Sequence, residues 1–297
     1  MDNKDIMEAN QRLMEKREAC QSRDDTQAER DSTSRATSPS MPVGDLMKKI
    51  KERQEAVERS RPADLVCKAC EENMAPLWDH FAGSWKYPGF NISAGLCRSC
   101  HRLREIKENI GSYLNRAGVP PKYIGCSFET FMPPRPLEGA FNLCRGYVRD
   151  PAYSLFIYGK YGTGKTHMAV AITRELLLQG RQVMFTSVPR LLFEIRKAFH
   201  EDARDTEALY VEKYSSFEFL VLDDFGVEKT TEWARQTLDY IIYERDNNLR
   251  PMVITSNLSL DEVADKIDGR ISSRLAGMGR IIHFNGPDFR LKRNGVK

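Results

Sequence analysis

The chain is 297 residues long and 41% hydrophobic, enough to bury one core of ordinary domain size and something smaller besides. Its 45 basic and 42 acidic side chains leave a net charge of only +3, which excludes a polyelectrolyte partner recognised by overall charge; any nucleic-acid contact must come from a local patch. No apolar export segment follows Met1-Asp2-Asn3-Lys4-Asp5 and no run approaches the roughly 20 apolar residues of a membrane span, so a cytoplasmic protein without membrane partners is expected, its seven cysteines thiols or metal ligands rather than disulfides.

Residues 1 to 20 gather Ile6, Met7, Leu13 and Met14 on one side of a short expected helix. From Gln21 to Pro42 the composition turns to Ser, Thr, Asp, Arg and Pro, with too little apolar surface to order a chain, and a disordered linker is expected. Helical spacing resumes with Leu46, Ile50 and Val57 and ends at Pro62; the pattern suits either a solvated helix or a docking helix for a partner protein.

Cys67-Lys-Ala-Cys70 is followed, after 26 residues, by Cys97-Arg-Ser-Cys100. Two such pairs form two knuckles, and four thiolates close the tetrahedron that Zn²⁺ prefers with no position open for substrate. The aromatic, turn-rich segment between them (Trp78, Phe81, Trp85, Tyr87, Phe90) suits a small domain that needs its metal to fold. Redox cysteines are the main rival. Cys97 to His101 also matches the c-type haem attachment pattern, which requires export. His80 and His101 are spare ligands; Cys20, Cys126 and Cys144 read as ordinary thiols. A basic helix from His101 to Leu114 then leads to the break Gly118-Val119-Pro120-Pro121. The expected division is a charged N-terminal region over 1–62, a zinc-binding domain with a basic linker helix over 63–116, and a nucleotide-binding domain over 117–297.

That last domain is organised by an apolar strand, Tyr153 to Tyr158, which feeds into Gly159-Lys160-Tyr161-Gly162-Thr163-Gly164-Lys165-Thr166. This is the full Gly-x-x-x-x-Gly-Lys-Thr phosphate loop. Its glycines let backbone N–H groups wrap a triphosphate, Lys165 would reach the β- and γ-phosphates as a mobile point charge, and the Thr166 hydroxyl would ligate Mg²⁺. A helix with Met168, Ala171, Ile172 and Leu176 on one face follows until Gly180. Apolar strands then alternate with helical patterns, which predicts an α/β domain with a mostly parallel sheet. A strand over Gln182–Val188 precedes a helix with Leu192, Ile195 and Phe199 inward, and its Arg190, Arg196 and Lys197 are candidate DNA contacts or a solvated face.

The strand from Phe217 ends in Asp223 and Asp224, where α/β sheets bind ligands; Asp223 would hold Mg²⁺ through its water shell and Asp224 would orient or deprotonate the attacking water. A helix carrying Ala234, Leu238, Ile241 and Ile242 inward leads to a strand ending at Asn257, whose amide is placed to bond the γ-phosphate and the water, or simply to form a turn. Arg270 and Arg274, four apart, project the same way from a helix.

Over about Pro120 to Lys297 the chain resembles the DnaC/IstB-type AAA+ ATPases, especially bacterial and phage helicase loaders. The resemblance lies in Cys126-Ser-Phe128-Glu-Thr-Phe131, Gly159 to His167, Leu222-Asp-Asp-Phe-Gly226, Thr255-Ser-Asn257 and Arg270-Ile-Ser-Ser-Arg274, in matching order and spacing. It implies a RecA-like AAA+ core that binds and hydrolyses ATP with Mg²⁺, self-associates side by side or in a spiral, and loads a hexameric DnaB-type replicative helicase onto single-stranded DNA. By position, Lys160, Tyr161, Thr163 and His167 join the glycines in the nucleotide site, Asn257 corresponds to sensor 1, Arg274 to the arginine finger with Arg270 close by, and Arg290 to sensor 2. Phe128 and Phe131 resemble residues flanking the adenine pocket, with core packing the plainer role. The short C-terminus implies little or no helical lid. An IstB-like regulator of transposition on duplex DNA would share nearly the same core. A small-molecule kinase would share only the phosphate loop.

Overall fold

The computed structural model describes residues 42–197, 207–227 and 231–290. The helix expected over residues 1–20, the linker up to residue 41, Cys20 and Phe199 lie outside the described residues. Two compact units are present, and each is taken by itself.

The smaller holds helix α1 (Val43–Arg59), which stops three residues before Pro62 as the spacing predicts, and residues 78–85. Leu46, Met47 and Ile50 remain exposed along α1. Trp78 and Trp85 meet edge to face at 5.5 Å, and the Trp85 indole donates to Ser60 Oγ at 3.2 Å.

The larger unit runs over residues 64–77 and from 86 onward. It opens with strands β1 (Leu65–Val66) and β2 (Asn73–Met74), an antiparallel pair whose turn carries the first two cysteines. Strands β3 (Leu77–Asp79) and β4 (Ser84–Lys86) form a two-stranded sheet that lies mostly in the smaller unit. In the larger one β5 (Phe90–Asn91) pairs with β6 (Leu96–Cys97), which presents the second cysteine pair together with the first turn of α2 (Arg98–Glu108). Helix α3 (Ile110–Arg116) follows. The basic surfaces of α2 and α3 were expected to mark a linker, but Ile106 and Leu114 are fully buried in the same core as the helix behind the phosphate loop. The Phe185 amide donates to Ala117 O at 2.7 Å, so the break at residues 118–121 is a turn within this unit.

The remaining elements are α4 (Glu138–Tyr147), β7 (Ser154–Tyr158), α5 (Lys165–Leu178), β8 (Val183–Ser187), α6 (Val188–Lys197), α7 (Glu207–Ser216), β9 (Phe219–Phe225), α8 (Glu232–Asn247), β10 (Met252–Ser256), α9 (Leu260–Lys266), α10 (Gly269–Met278) and β11 (Gly279–His283). The five strands form one parallel sheet in the order β11-β7-β10-β9-β8, so the predicted α/β class with a parallel sheet is what the chain adopts. Because successive side chains of a strand face opposite ways, each strand feeds two cores. Leu155, Ile157, Val221 and Val253 pack with α2 to α5 on one side, while Phe156, Leu220, Leu222 and Ile254 pack with α6 to α10 on the other. Burial on both faces explains why the inner strands read as continuous apolar runs.

Candidate functional site

The phosphate loop leaves the carboxyl end of β7 and enters α5, whose first N–H groups have no acceptor within the helix, the arrangement that suits an anion. Gly162 (φ +72°) and Gly164 (φ +95°) are left-handed, and a Cβ would stand 1.9 Å from Asp288 Oδ1 at the first and 2.5 Å from Phe131 Cε2 at the second. Neither conformation nor space admits a side chain there. Buried Thr163 donates to Lys160 O at 3.0 Å and tightens the turn.

Lys165 is not the mobile charge expected. It is only 7% exposed, and its Nζ donates to Gly159 O at 2.9 Å, Lys160 O at 2.7 Å and Asn257 Oδ1 at 2.8 Å. Burial brings its pKa down to about 8, against the opposing pull of Asp224 and Asp223. Thr166 donates to Asp223 Oδ1 at 3.0 Å, so the hydroxyl and carboxylate expected to hold Mg²⁺, 57 residues apart in sequence, stand together. Asp223 is buried, which raises its pKa, and hydroxyl donors from Thr255 and Thr166 counter that shift. Asp224 is exposed, takes a left-handed φ of +57° and lines a cleft of about 460 Å³ with Lys165, Asn257, Tyr161 and Arg290. A larger groove of about 810 Å³, beside Trp233 and Tyr240, contains no phosphate cradle.

The segment after β11 folds back over the loop: Phe289 N–H donates to Gly162 O at 2.9 Å, and the Arg290 charge acts on Lys165. His167 turns its Nε2 to the Ser127 carbonyl at 2.8 Å and lies 5.1 Å from the Phe131 ring; burial lowers its pKa. Phe128 and Phe131 are themselves core residues, and the aromatics that border the cleft are Tyr161, Phe289 and Tyr123, the last with no distinguishing pattern in sequence.

Helix α10 starts at Asp268, which caps the Arg270 amide at 2.6 Å and pairs with Arg235 of α8. Arg270 is exposed. Arg274 pairs with Asp239 at 2.5 Å and lies 4.8 Å over the Tyr243 ring, leaving its side chain 28% exposed. Nη1 carries the bond to Asp239; no partner is recorded for Nε or Nη2 among the described residues. Of the proposed DNA contacts, Arg190 is paired with Glu194 at 2.9 Å.

The four thiols of Cys67, Cys70, Cys97 and Cys100 converge within 4.8 Å of one another, with Cys70 and Cys97 Sγ 3.8 Å apart. A tetrahedron with Zn–S bonds of about 2.3 Å has edges of about 3.8 Å, so this donor set fits zinc. Cys67 Sγ accepts the Cys97 amide at 3.3 Å, a bond that helps bring its pKa down to about 6 and favours the thiolate a metal requires.

A glycine loop at a helix N-terminus, a buried lysine, a hydroxyl–carboxylate pair and an amide converging at the carboxyl ends of parallel strands define an AAA+-type P-loop nucleotide-binding protein. The profile of the family described as "IstB-like ATP binding protein" matches residues 142–294, and the chain belongs to that family. It is 29% identical over 260 residues to the protein named "Replicative helicase loader DnaC" of Escherichia coli (strain K12), covering 85% of this chain and 98% of that one. Among solved structures, "Crystal structure of the DnaC helicase loader" superposes with a TM-score of 0.51 at 25% identity, over 56% of this chain and 100% of that one. "Structure of AMPPCP-bound DnaA from Aquifex aeolicus" superposes at 0.50 and 21% identity, over 60% of this chain and 57% of that one, a likeness of fold. No described helix is long and apolar enough to cross a membrane.

Proposed function

We propose that this protein is a cytoplasmic ATPase that loads a DnaB-type replicative helicase onto single-stranded DNA, with ATP binding and hydrolysis controlling self-association and release. The observation that carries the reading is the extent of the likeness to the helicase loader, which takes in 98% of that protein and reaches well outside the ATPase core. The site supports it chemically. Gly159 to Thr166 would hold the phosphates, with His167, Tyr161 and Arg290 around them; Thr166 and Asp223 would hold Mg²⁺, which supplies charge neutralisation at the β- and γ-oxygens. Asp224 would take the proton of the attacking water, Asn257 would position that water, and Arg274, with Arg270 beside it, would reach the nucleotide of a neighbouring protomer.

In this proposal residues 1–62 grip the helicase, and residues 63–116 form a zinc-held module whose Ile106 and Leu114 share the core of the motor formed by residues 117–297. Purified protein is expected to carry one zinc per chain by metal analysis, and Cys97→Ser to lose it; retention of full zinc would remove the cysteine assignment. The loading reading is tested by anisotropy titration. ATP should tighten binding of single-stranded DNA, salt should weaken it, and Asp224→Asn should hold the ATP-bound, DNA-competent state because it binds without turning over. Binding indifferent to ATP would remove the loader mechanism, and preference for duplex DNA would favour the transposition regulator. Co-purification with a replicative helicase that survives deletion of residues 1–62 would move the helicase contact out of the N-terminal region.

A further inference from the structure

Strands β9 and β10 are in register at Leu222 with Ile254 and again at Phe225 with Ser256. Asp223 and Asp224 therefore stand opposite Thr255 alone. This is a bulge of one extra residue, the device by which a strand re-aims a side chain. Asp224, in the left-handed region that a non-glycine residue seldom occupies, is its outlier.

One buried hydroxyl closes the bulge. Thr255, 1% exposed, accepts the Asp224 amide at 3.1 Å and donates its own proton to Asp223 Oδ1 at 2.6 Å. Asp223 Oδ1 also receives Thr166 Oγ1, so both recorded donors converge on one oxygen of that carboxylate. We infer that Thr255 is a positioning residue for hydrolysis: its hydroxyl sets the two adjacent carboxylates to different tasks, pinning Asp223 by Oδ1 beside Thr166 and holding Asp224 turned into the cleft. In an unbulged strand two successive carboxylates face opposite sides of the sheet, and only one of them reaches the phosphate. This inference rests on the roles proposed above for Asp223 and Asp224.

The test compares Thr255→Val, which keeps the branched shape and loses the hydroxyl, with Thr255→Ser, which keeps the hydroxyl and loses the methyl. Thr255→Val should lower kcat about 10- to 100-fold, with the affinity for a fluorescent ATP analogue without Mg²⁺ changed less than about twofold. The Mg²⁺ concentration that half-maximally tightens binding of that analogue should rise severalfold, and Thr255→Ser should bring both quantities back to within about threefold of the parent. If Thr255→Val does not fold, Thr255→Ala carries the same expectation, since a smaller side chain introduces no clash. Full turnover and an unchanged Mg²⁺ requirement in the valine or alanine variant would overturn the inference, as would a serine variant no better than valine, which would assign the effect to packing. Asp224→Asn separates the two layers. If it hydrolyses ATP normally, the carboxylate roles fail and the positioning role with them; if it does not while Thr255→Val does, only the positioning role fails.

Discussion

Lys165→Met is expected to bind ATP at least about 100-fold more weakly than the parent, because an ammonium on the terminal phosphates supplies charge-assisted hydrogen bonds worth about 1.5–3 kcal/mol each. The same substitution should make the nucleotide-free protein more stable. Burial drives the Lys165 pKa from 10.5 to about 8, so the folded state disfavours the charged form. At roughly 1.4 kcal/mol per pH unit that penalty is about 3 kcal/mol at neutral pH, and losing the bonds to Gly159, Lys160 and Asn257 returns part of it, leaving a net gain on the order of 1 kcal/mol. The folded value lies below the unfolded one, so the penalty is complete below pH 8 and fades as pH rises through 8 toward 10.5. Denaturation of parent and variant at neutral and alkaline pH, beside an ATP titration, checks both halves. A variant that is less stable and still binds ATP would show that the charge is not held in the fold at a cost.

Arg245→Met should be the most destabilising single change in the ATPase half, at about 3–5 kcal/mol and a fall of about 10 °C in Tm. The guanidinium is fully buried and donates to five carbonyl oxygens: Tyr214, Ser215 and Phe217 through Nη1, Glu218 and Pro251 through Nη2. These belong to the end of α7 and the residues that lead into β9 and β10, the strands that deliver Asp223 and Asn257. Burial, and then the nearby Arg250 charge, lower its pKa to about 9, so the residue is held at a cost. Removing it orphans several carbonyls at once, which outweighs relief of that cost. Arg245→Lys, with a charge but no planar fork, should recover only part of the loss in a urea titration. A methionine variant as stable as the parent would mean that water satisfies those carbonyls equally well.

The site was legible wherever chemistry fixes spacing. The phosphate loop needs its glycines in sequence, and Thr166 and Asp223 could be paired before their 3.0 Å bond was seen because the chemistry expected of them, holding one Mg²⁺, requires both. The buried strands were legible because two-sided burial leaves only apolar residues. Strand β11 was not, since at the sheet edge Arg280, Ile281 and His283 are exposed and the apolar run is two residues long. Arg245 was hidden by its type, although it falls three residues after Ile242 on the inward stripe of α8. The basic sequence of α2 and α3 suggested a linker because charged side chains on one face mask the buried Ile106 and Leu114 on the other. The pairing of Arg274 with Asp239 was out of reach for the same reason that any contact between separate helices is: no periodicity connects residues 35 positions apart.

The central claim is that a nucleotide held by one protomer's loop is read by Arg274 of the next, and mixing two inactive proteins tests it most directly. Asp224→Asn and Arg274→Ala should each hydrolyse ATP slowly alone; combined, they should regain a clear fraction of the parent rate, because some interfaces then pair an intact carboxylate with an intact arginine. A mixture no faster than the sum of its parts would contradict the claim and leave Arg274 a partner of Asp239 within its own chain.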